Sequence, residues 1–125
     1  MSTRRTAALT FVAAVLLCST LGVARRVARP VPAHECTITA NDFAFSPARI
    51  DAKQGEILRV AFHAVDIPHT FTIDEYRINK RAAIGQTIVF EFVADKTGTF
   101  PIYCSLTADE RCRRMKGELV VVKQP

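Results

Sequence analysis

The sequence predicts an all-β domain, a Greek-key antiparallel β-sandwich with one short helix in the loop before its last strand. Three observations carry this prediction. The chain of 125 residues contains eight Phe and no Trp, and it is rich in Val, Ile and Thr, which favour strands over helices. About seven short segments alternate apolar and polar side chains, as half-buried strands do. Turn residues separate these segments at short intervals, which is typical of sandwich folds.

The N-terminal segment has the form of a secretory leader. Two arginines precede an apolar run that ends at Ala24, and residues 22–24 suit a cleavage site. The same run approaches the ~20 apolar residues of a single membrane span, and the arginines that follow it disfavour translocation. We therefore predict that residues 1–24 are either a signal peptide or an N-terminal membrane anchor, formed by residues 6–24, of a protein exported to the periplasm.

A linker and one folded domain follow the leader. Residues 25–34 contain two prolines and no periodic pattern, which is typical of an extended linker. The folded domain is predicted over residues 35–125. From position 30 onward, twelve Lys or Arg residues balance twelve Asp or Glu residues. The net charge of +5 therefore comes from the leader and linker, and we expect no nucleic-acid partner.

The first half of the domain contains three strand-like segments. Residues 36–40 alternate, and residues 43–50 continue the pattern past a bend that a proline marks. Residues 56–65 form the third segment. One face of it carries four apolar side chains, Leu58, Val60, Phe62 and Ala64. His63 falls on the opposite face, which favours a histidine exposed to solvent over a metal ligand.

The second half of the domain begins with a short strand over residues 69–74, after a turn marked by proline. Residues 75–85 are polar and irregular, with at most one helical turn. Residues 86–94 form a clear strand, and a tight turn leads into the next strand, residues 99–104. Residues 117–123 are predicted to form a last, buried strand.

The loop between the last two strands is predicted to contain a short helix. Thr107 followed by Glu110 has the spacing of a capping box. Basic residues near the end of the loop suit a helix C-terminus, and Gly117 is a stop signal. We therefore predict two helical turns from Ala108 to Lys116.

This loop and one upstream histidine carry the candidate chemistry. Cys112 and Met115 are three residues apart, so on a helix they share one face, and that face can approach Cys104. A Greek-key arrangement can bring His69 beside the strand that ends at Cys104. Thiolate, thioether and imidazole select copper over calcium, magnesium or manganese. We therefore predict a site for one copper ion per chain, with four metal ligands, His69, Cys104, Cys112 and Met115.

Simpler interpretations of the same residues remain open. Cys112 and Met115 also suit the buried stripe of a helix. Cys104 and Cys112 suit a disulfide, as expected in an exported protein. Cys36 stands alone in the first strand and is expected to pack as a small apolar residue. No third group orients a cysteine–histidine pair for hydrolysis, so we predict that the protein is not an enzyme.

Four motifs resemble those of the cupredoxin family, over about residues 35–123. They are Phe-x-Phe-Ser-Pro-x-x-Ile at 43–50, Ile-Pro-His-Thr-Phe at 67–71, Gly-x-Phe-x-x-Tyr-Cys at 98–104 and Met-x-Gly-x-Leu-Val-Val at 115–121. Relatives in this family include the copper domain of cytochrome c oxidase subunit II. The resemblance implies a Greek-key sandwich, and it places His69, Cys104 and Met115 at the positions of family ligands.

The loop departs from the family pattern at two positions. The binuclear oxidase loop reads Cys-x3-Cys-x3-His-x2-Met, whereas this chain has Ala108 at the second cysteine and Cys112 at the histidine. The resemblance therefore implies a mononuclear site with one imidazole, two thiolates and one thioether.

Three functions follow from these features. The first is electron transfer through the mononuclear copper site. The second is a periplasmic carrier or chaperone for Cu(I), in which Cys104 and Cys112 form a redox-active pair. The third is a metal-free interaction module. The expected partners are a redox protein, or a protein that donates or accepts copper, and the chain is expected to be a monomer.

Overall fold

The computed structural model describes Gly22 and residues 24–125. The predicted leader, residues 1–24, lies outside the described residues except for Gly22 and Ala24, so its role stays a prediction. In the part of the chain that the structure describes, none of the helical segments is long and apolar enough to cross a bilayer.

Strands dominate the described domain, which confirms the predicted all-β class. The elements in chain order are β1 (His34–Asn41), β2 (Ala44–Ser46), β3 (Arg49–Lys53), β4 (Ile57–Ala64), β5 (His69–Ile73), β6 (Ile78–Ala82), β7 (Thr87–Val93), β8 (Gly98–Tyr103), α1 (Glu110–Arg114) and β9 (Lys116–Val122). A single 3-10 turn, Asp74–Tyr76, separates β5 from β6.

The strands form two sheets that share one core, which confirms the predicted sandwich. One sheet has the order β2-β1-β4-β7, and the other has the order β3-β9-β8-β5-β6. Most pairings are antiparallel, but β1 pairs with β4 in parallel, and β3 pairs with β9 in parallel. Parallel neighbours need a crossover connection, and the alternation of side chains along one strand carries no information about such a crossover.

The core lies between the inward faces of the two sheets. The four apolar side chains predicted for one face of β4 are all fully buried, and His63 lies on the other face. Across the core from them, Phe71 of β5 is also fully buried, and its ring centroid lies 5.7 Å from that of Phe62. These rings hold β5, whose first residue is His69, against the opposite sheet.

The prediction that residues 75–85 are irregular was wrong, because this segment contains β6, although a helical turn does precede that strand. This strand pairs antiparallel with β5, in a register that places Ala82 opposite His69. Only its two end residues, Ile78 and Ala82, are buried. As the edge strand of its sheet, β6 turns Asn79, Lys80 and Arg81 to solvent, which is usual for edge strands but removes the alternating signal.

The helix in the last loop is confirmed, but its predicted bounds and cap were wrong. Asp109 is the N-cap, and its side chain accepts a hydrogen bond from the backbone N–H of Arg111 at 2.9 Å. Thr107 lies outside the helix, because Asp109 competes as a cap two residues later. Met115 is not on the helix: its backbone is extended, with φ −64° and ψ 123°. It shares no helical face with Cys112, because β9 begins directly after it.

Gly117 holds β9 close to the segment between β2 and β3. A Cβ atom at this position would lie 2.6 Å from the carbonyl oxygen of Ala48. That oxygen accepts a hydrogen bond from the backbone N–H of Glu118 at 2.8 Å. The two backbone segments are therefore fixed at a separation that only glycine permits.

We expect Gly117→Ala to destabilise the protein. The added methyl group meets backbone rather than a mobile side chain, so the free energy of unfolding should fall by about 1–3 kcal/mol, the usual cost of overpacking. Denaturant unfolding measures this loss. Val122→Ala, at an exposed position of the same strand, is the control and should change stability by less than about 0.5 kcal/mol. Equal stability of Gly117→Ala and wild type would contradict the close approach.

Candidate metal centre

Three of the four predicted ligands meet at one end of the sandwich. His69 is the first residue of β5, Cys104 directly follows β8, and Cys112 lies in α1. One nitrogen of His69 and the two cysteine sulfurs all lie within 4.8 Å of one another. The three side chains are buried, with 2% exposure or less. Three separate elements thus bring one imidazole and two sulfur atoms to a single buried point.

The two ring nitrogens of His69 have different surroundings. Nε2 lies 2.9 Å from Oδ1 of Asp66, and because a carboxylate only accepts hydrogen bonds, this nitrogen carries the proton and donates it. Nδ1 is buried and has no hydrogen-bond partner among the described residues. A buried polar atom without a partner costs about 1–3 kcal/mol. The hydrogen bond of Nε2 therefore leaves Nδ1 with a free lone pair in a buried position.

Asp66 connects the histidine to two loops. Oδ1 of Asp66 also accepts the backbone N–H of Ile67, and Oδ2 accepts that of Asp42, each at 2.9 Å. Partial burial raises the pKa of the Asp66 carboxyl, but the hydrogen bonds from His69, Asp42 and Ile67 outweigh burial and lower the pKa from 3.8 to about 2. Asp66 is therefore an anion at neutral pH, and it orients the imidazole as carboxylates orient histidine ligands in metal sites.

Phe43, in the β1–β2 turn, packs against His69, and Arg111 of α1 packs on the ring of Phe43. The rings of Phe43 and His69 meet edge to face, with centroids 6.0 Å apart. The guanidinium carbon of Arg111, in α1, lies 4.2 Å from the centroid of the Phe43 ring. Asp42 and Phe43 both have positive φ, 49° and 55°, a region that few non-glycine residues adopt. This turn is held by the hydrogen bond from the backbone N–H of Asp42 to Asp66 and by the contact of Phe43 with Arg111.

A second set of hydrogen bonds fixes the chain beside Cys104. The hydroxyl of Thr70 accepts the backbone N–H of Ser105 at 2.6 Å, and the two hydroxyl oxygens lie 3.0 Å apart. Thr70 is the neighbour of His69, and Ser105 is the neighbour of Cys104. The histidine and the first cysteine are therefore positioned relative to each other by the residues that follow them.

Cys104 and Cys112 are joined in a disulfide, with their Cα atoms 5.5 Å apart. This is the pairing that the sequence left open as an alternative to metal ligation. The two interpretations are compatible, because reduction of the disulfide leaves two thiols at the same place, and thiolates are the ligand form of cysteine. The two cysteines therefore form a covalent cross-link when oxidised and offer two metal-binding thiolates when reduced.

The reduced form of this site fits copper. A free imidazole nitrogen and two thiolates form a soft, nitrogen–sulfur donor set of the kind that copper prefers over hard cations. Met115, the fourth predicted ligand, is buried, and its backbone N–H donates to the carbonyl of Cys112 at 3.1 Å. Its role as a ligand stays a prediction.

The other histidines and the remaining cysteine of the described residues lie outside this cluster. His63 interacts with the hydroxyl of Thr87 on the outer face of the sheet, at 2.8 Å. His34, predicted in the linker, is instead the first residue of β1, and its Nδ1 lies 3.2 Å from a carboxylate oxygen of Glu56. Cys36 is half-buried and unpaired, and burial, followed by Glu35 and Glu56, raises the pKa of its thiol.

Sequence reasoning did not assign Asp66, Phe43 or Arg111 to the site. Asp66 stands three residues before His69 in a tight turn, and this spacing is the signal that was available for it. Phe43 and Arg111 reach the site from distant parts of the chain. Their contact depends on how the β1–β2 turn faces α1, for which a single sequence contains no signal.

The comparisons with known proteins agree with the geometry. The family model described as the cupredoxin-like domain matches residues 8–121. No curated protein matches the chain by sequence. Many solved structures have the same fold, at low sequence identity.

Three of these structures represent the range of similar proteins. Auracyanin A, a blue copper protein of Chloroflexus aurantiacus, is 15% identical with a TM-score of 0.61, over 72% of this chain and 99% of that one. The periplasmic domain of cytochrome oxidase subunit II of Bradyrhizobium japonicum is 18% identical with a TM-score of 0.64, over 75% and 88%. The metal-binding domain of the Cu(I)-exporting ATPase CopA of Streptococcus pneumoniae D39 is 20% identical with a TM-score of 0.59, over 70% and 84%.

We expect Asp66→Asn to lower the free energy of unfolding of the metal-free protein, by an amount that depends on pH. Because the pKa of Asp66 is lowered in the folded state to about 2, its stabilisation is complete above about pH 4 and is lost as the pH falls toward 2. The variant should be about 1 kcal/mol less stable at pH 7, a value reduced for the partial exposure of the carboxylate. The difference in free energy of unfolding between the variant and wild type should become smaller below pH 4.

Unfolding by denaturant at several pH values between 7 and 2 measures this difference. Asp95→Asn, which removes a carboxylate from the turn between β7 and β8, is the control for a general loss of negative charge. A difference between Asp66→Asn and wild type that stays constant down to pH 2 would contradict the predicted role of the Asp66 hydrogen bonds.

Proposed function

Because the chain belongs to the family of cupredoxin-like domains, we propose that it is an exported protein that binds one copper ion and transfers electrons through it. The ligands are Nδ1 of His69 and the sulfurs of Cys104 and Cys112, with the thioether of Met115 as the fourth. We propose further that the chain acts in the periplasm, either released from its leader or anchored by residues 6–24, and as a monomer.

One observation carries the proposal: the buried His69 has an unpartnered Nδ1, and one of its ring nitrogens lies within 4.8 Å of two cysteine sulfurs. Burial of an imidazole without use of both nitrogens is unfavourable. Two buried cysteines beside it form a disulfide without any need for a histidine. Binding of one shared metal ion explains why all three side chains occur together. Their nitrogen and sulfur donor atoms are soft or borderline, which favours copper.

Electron transfer is favoured by the way the protein holds these ligands. Copper supplies a one-electron change between Cu(I) and Cu(II), and the rate of that change benefits from ligands that move little. Asp66 fixes the ring of His69, and the hydrogen bonds between Thr70 and Ser105 fix the chain at Cys104. Compared with a histidine, a second thiolate at position 112 donates more charge, so we expect a lower reduction potential than that of an ordinary blue site.

A Cu(I) carrier is the second candidate, and the disulfide favours it. Two thiolates and an imidazole suit Cu(I). Because Cys104 and Cys112 can join, transfer of two electrons from the pair to an external disulfide would withdraw both thiolates and release the ion. The partner would then be a protein that donates or accepts copper, instead of a redox protein. Solved structures with this fold include both a blue copper protein and a domain of a Cu(I) exporter.

Spectroscopy of the reduced protein with Cu(II) tests the proposal. The full chain is reduced without oxygen, freed of reductant and titrated with Cu(II), while visible absorption and paramagnetic resonance are recorded. An intense thiolate-to-copper absorption band that saturates at one ion per chain and persists is the expected result. The band should shift and lose intensity in His69→Ala and in Cys104→Ser, because each substitution removes one of the proposed ligands.

Matched variants control for general effects. His63→Ala and Cys36→Ser remove the same side-chain types outside the site, so both should keep the band and the stoichiometry. Bleaching within seconds to a silent Cu(I) form that stays bound would favour the carrier over electron transfer. Failure of the reduced wild type to bind either Cu(II) or Cu(I) would contradict both copper functions. Of the three predicted functions, only the metal-free interaction module would then remain.

A further inference from the structure

Helix α1 carries Cys112 but has few polar contacts with the two sheets. Among the described residues, the side chains of Glu110–Arg114 form no hydrogen bond or ion pair with a strand, and those of Arg111 go to Asp109 in the same loop. The disulfide connects the helix to Cys104, at the end of β8. When the disulfide is reduced, the position of Cys112 depends on noncovalent contacts of α1.

Arg111 supplies such a contact, through the ring of Phe43. Its guanidinium carbon lies 4.2 Å from the centroid of that ring, within the ~6 Å range of cation–π attraction. The Phe43 ring in turn meets the ring of His69 edge to face, which is a favourable geometry for an aromatic pair. A continuous set of contacts therefore leads from the residue before Cys112 to the imidazole of the site.

Both partners of this contact are oriented independently of each other. Asp109 accepts two hydrogen bonds from the guanidinium of Arg111, from Nε at 3.2 Å and from Nη2 at 2.9 Å, and this paired geometry restricts the planar group. On the other side, the backbone N–H of Asp42 donates to Asp66, which fixes the turn that presents Phe43. Little conformational freedom is lost when the guanidinium and the ring pack together, so the contact is strengthened.

We propose that Arg111 is a positioning residue, whose contact with Phe43 holds the Cys112 loop beside His69 when the disulfide is open and no metal is bound. The inference rests on the proposed function, because the state it concerns is the reduced state that accepts copper. A loop held in this way presents the two thiols and the imidazole together, so an arriving ion does not have to order the loop. Loss of the contact therefore weakens copper binding, although neither Arg111 nor Phe43 is a ligand.

Hydrogen exchange of the reduced, metal-free chain tests the proposal without copper. The full chain is reduced by a phosphine without oxygen, and the exchange of individual backbone N–H groups is followed by NMR. The reporters are the N–H groups of Cys112 and Met115, which form the hydrogen bonds of the α1 turn. Arg111→Gln and Phe43→Leu should each speed their exchange about threefold to tenfold, as expected for the loss of one cation–π contact.

The oxidised protein and two matched variants are the controls. In the oxidised chain the disulfide holds Cys112, so Arg111→Gln and Phe43→Leu should leave the exchange of α1 unchanged. Arg113→Gln removes an exposed charge from the same helix and should have no effect in either state. Phe43→Tyr keeps the aromatic face and should behave as the wild type, whereas leucine keeps the apolar character of the side chain without that face.

The Cu(I) affinity of the reduced chain is the second measurement, determined by competition with a chromophoric chelator. Arg111→Gln and Phe43→Leu should each raise the dissociation constant about threefold to tenfold. Their combination should raise it no further than the larger single effect, because both remove the same contact. Removal of a positive charge near a bound cation would by itself tighten binding, so weaker binding in Arg111→Gln reports the loss of positioning.

Several outcomes would overturn the proposal. They are exchange of α1 that is equal in the reduced wild type and both test variants, an equal effect of Arg113→Gln, the same acceleration in the oxidised chain, and additive effects on affinity. Faster exchange in the reduced variants of a chain that binds no copper would support the positioning role and overturn the copper site. Copper binding with unchanged exchange and affinity in Arg111→Gln and Phe43→Leu would overturn the positioning role alone.

Discussion

The hydrogen bond between His69 and Asp66 is the interaction on which the rest of the site depends. It fixes the proton on Nε2 and leaves Nδ1 with a free lone pair and no hydrogen-bond partner among the described residues. The same carboxylate accepts a backbone hydrogen bond from Asp42, so it also connects the histidine to the turn that carries Phe43. A single anionic side chain therefore sets the tautomer, the ring orientation and the position of the covering turn.

The two sheets supply the rigidity that this arrangement requires. The histidine begins a buried strand, and the first cysteine follows a second strand beside it in the same sheet. The second cysteine comes from α1, which is only five residues long. The site therefore combines two side chains fixed by the sheet, His69 and Cys104, with a third, Cys112, that lies on a short loop outside the sheet. In the oxidised state the loop is tied to the sheet by the disulfide, and in the reduced state by the proposed metal.

The sequence predicted the parts of the molecule whose signals are local. Alternation along β4 identified the buried face and placed His63 outside, and the donor types at His69, Cys104 and Cys112 identified the cluster. Edge strand β6 was missed because its central residues face solvent and show no alternation. The N-cap was misassigned because Thr107 and Asp109 both carry capping signals. The contact of Arg111 with Phe43, and the two parallel pairings, depend on how distant segments meet, which no local pattern contains.

The number and type of atoms bound to copper test the central claim most directly. X-ray absorption at the copper edge of the reduced, copper-loaded protein counts sulfur and nitrogen neighbours without assumptions about colour or redox state. The account predicts two thiolate sulfurs and one imidazole nitrogen at bonding distance, with the Met115 thioether as a further sulfur neighbour. One thiolate sulfur should be lost in Cys112→Ser, and the nitrogen should be lost in His69→Ala. A shell of nitrogen and oxygen atoms alone, unchanged in both variants, would show that copper binds elsewhere and would contradict the account.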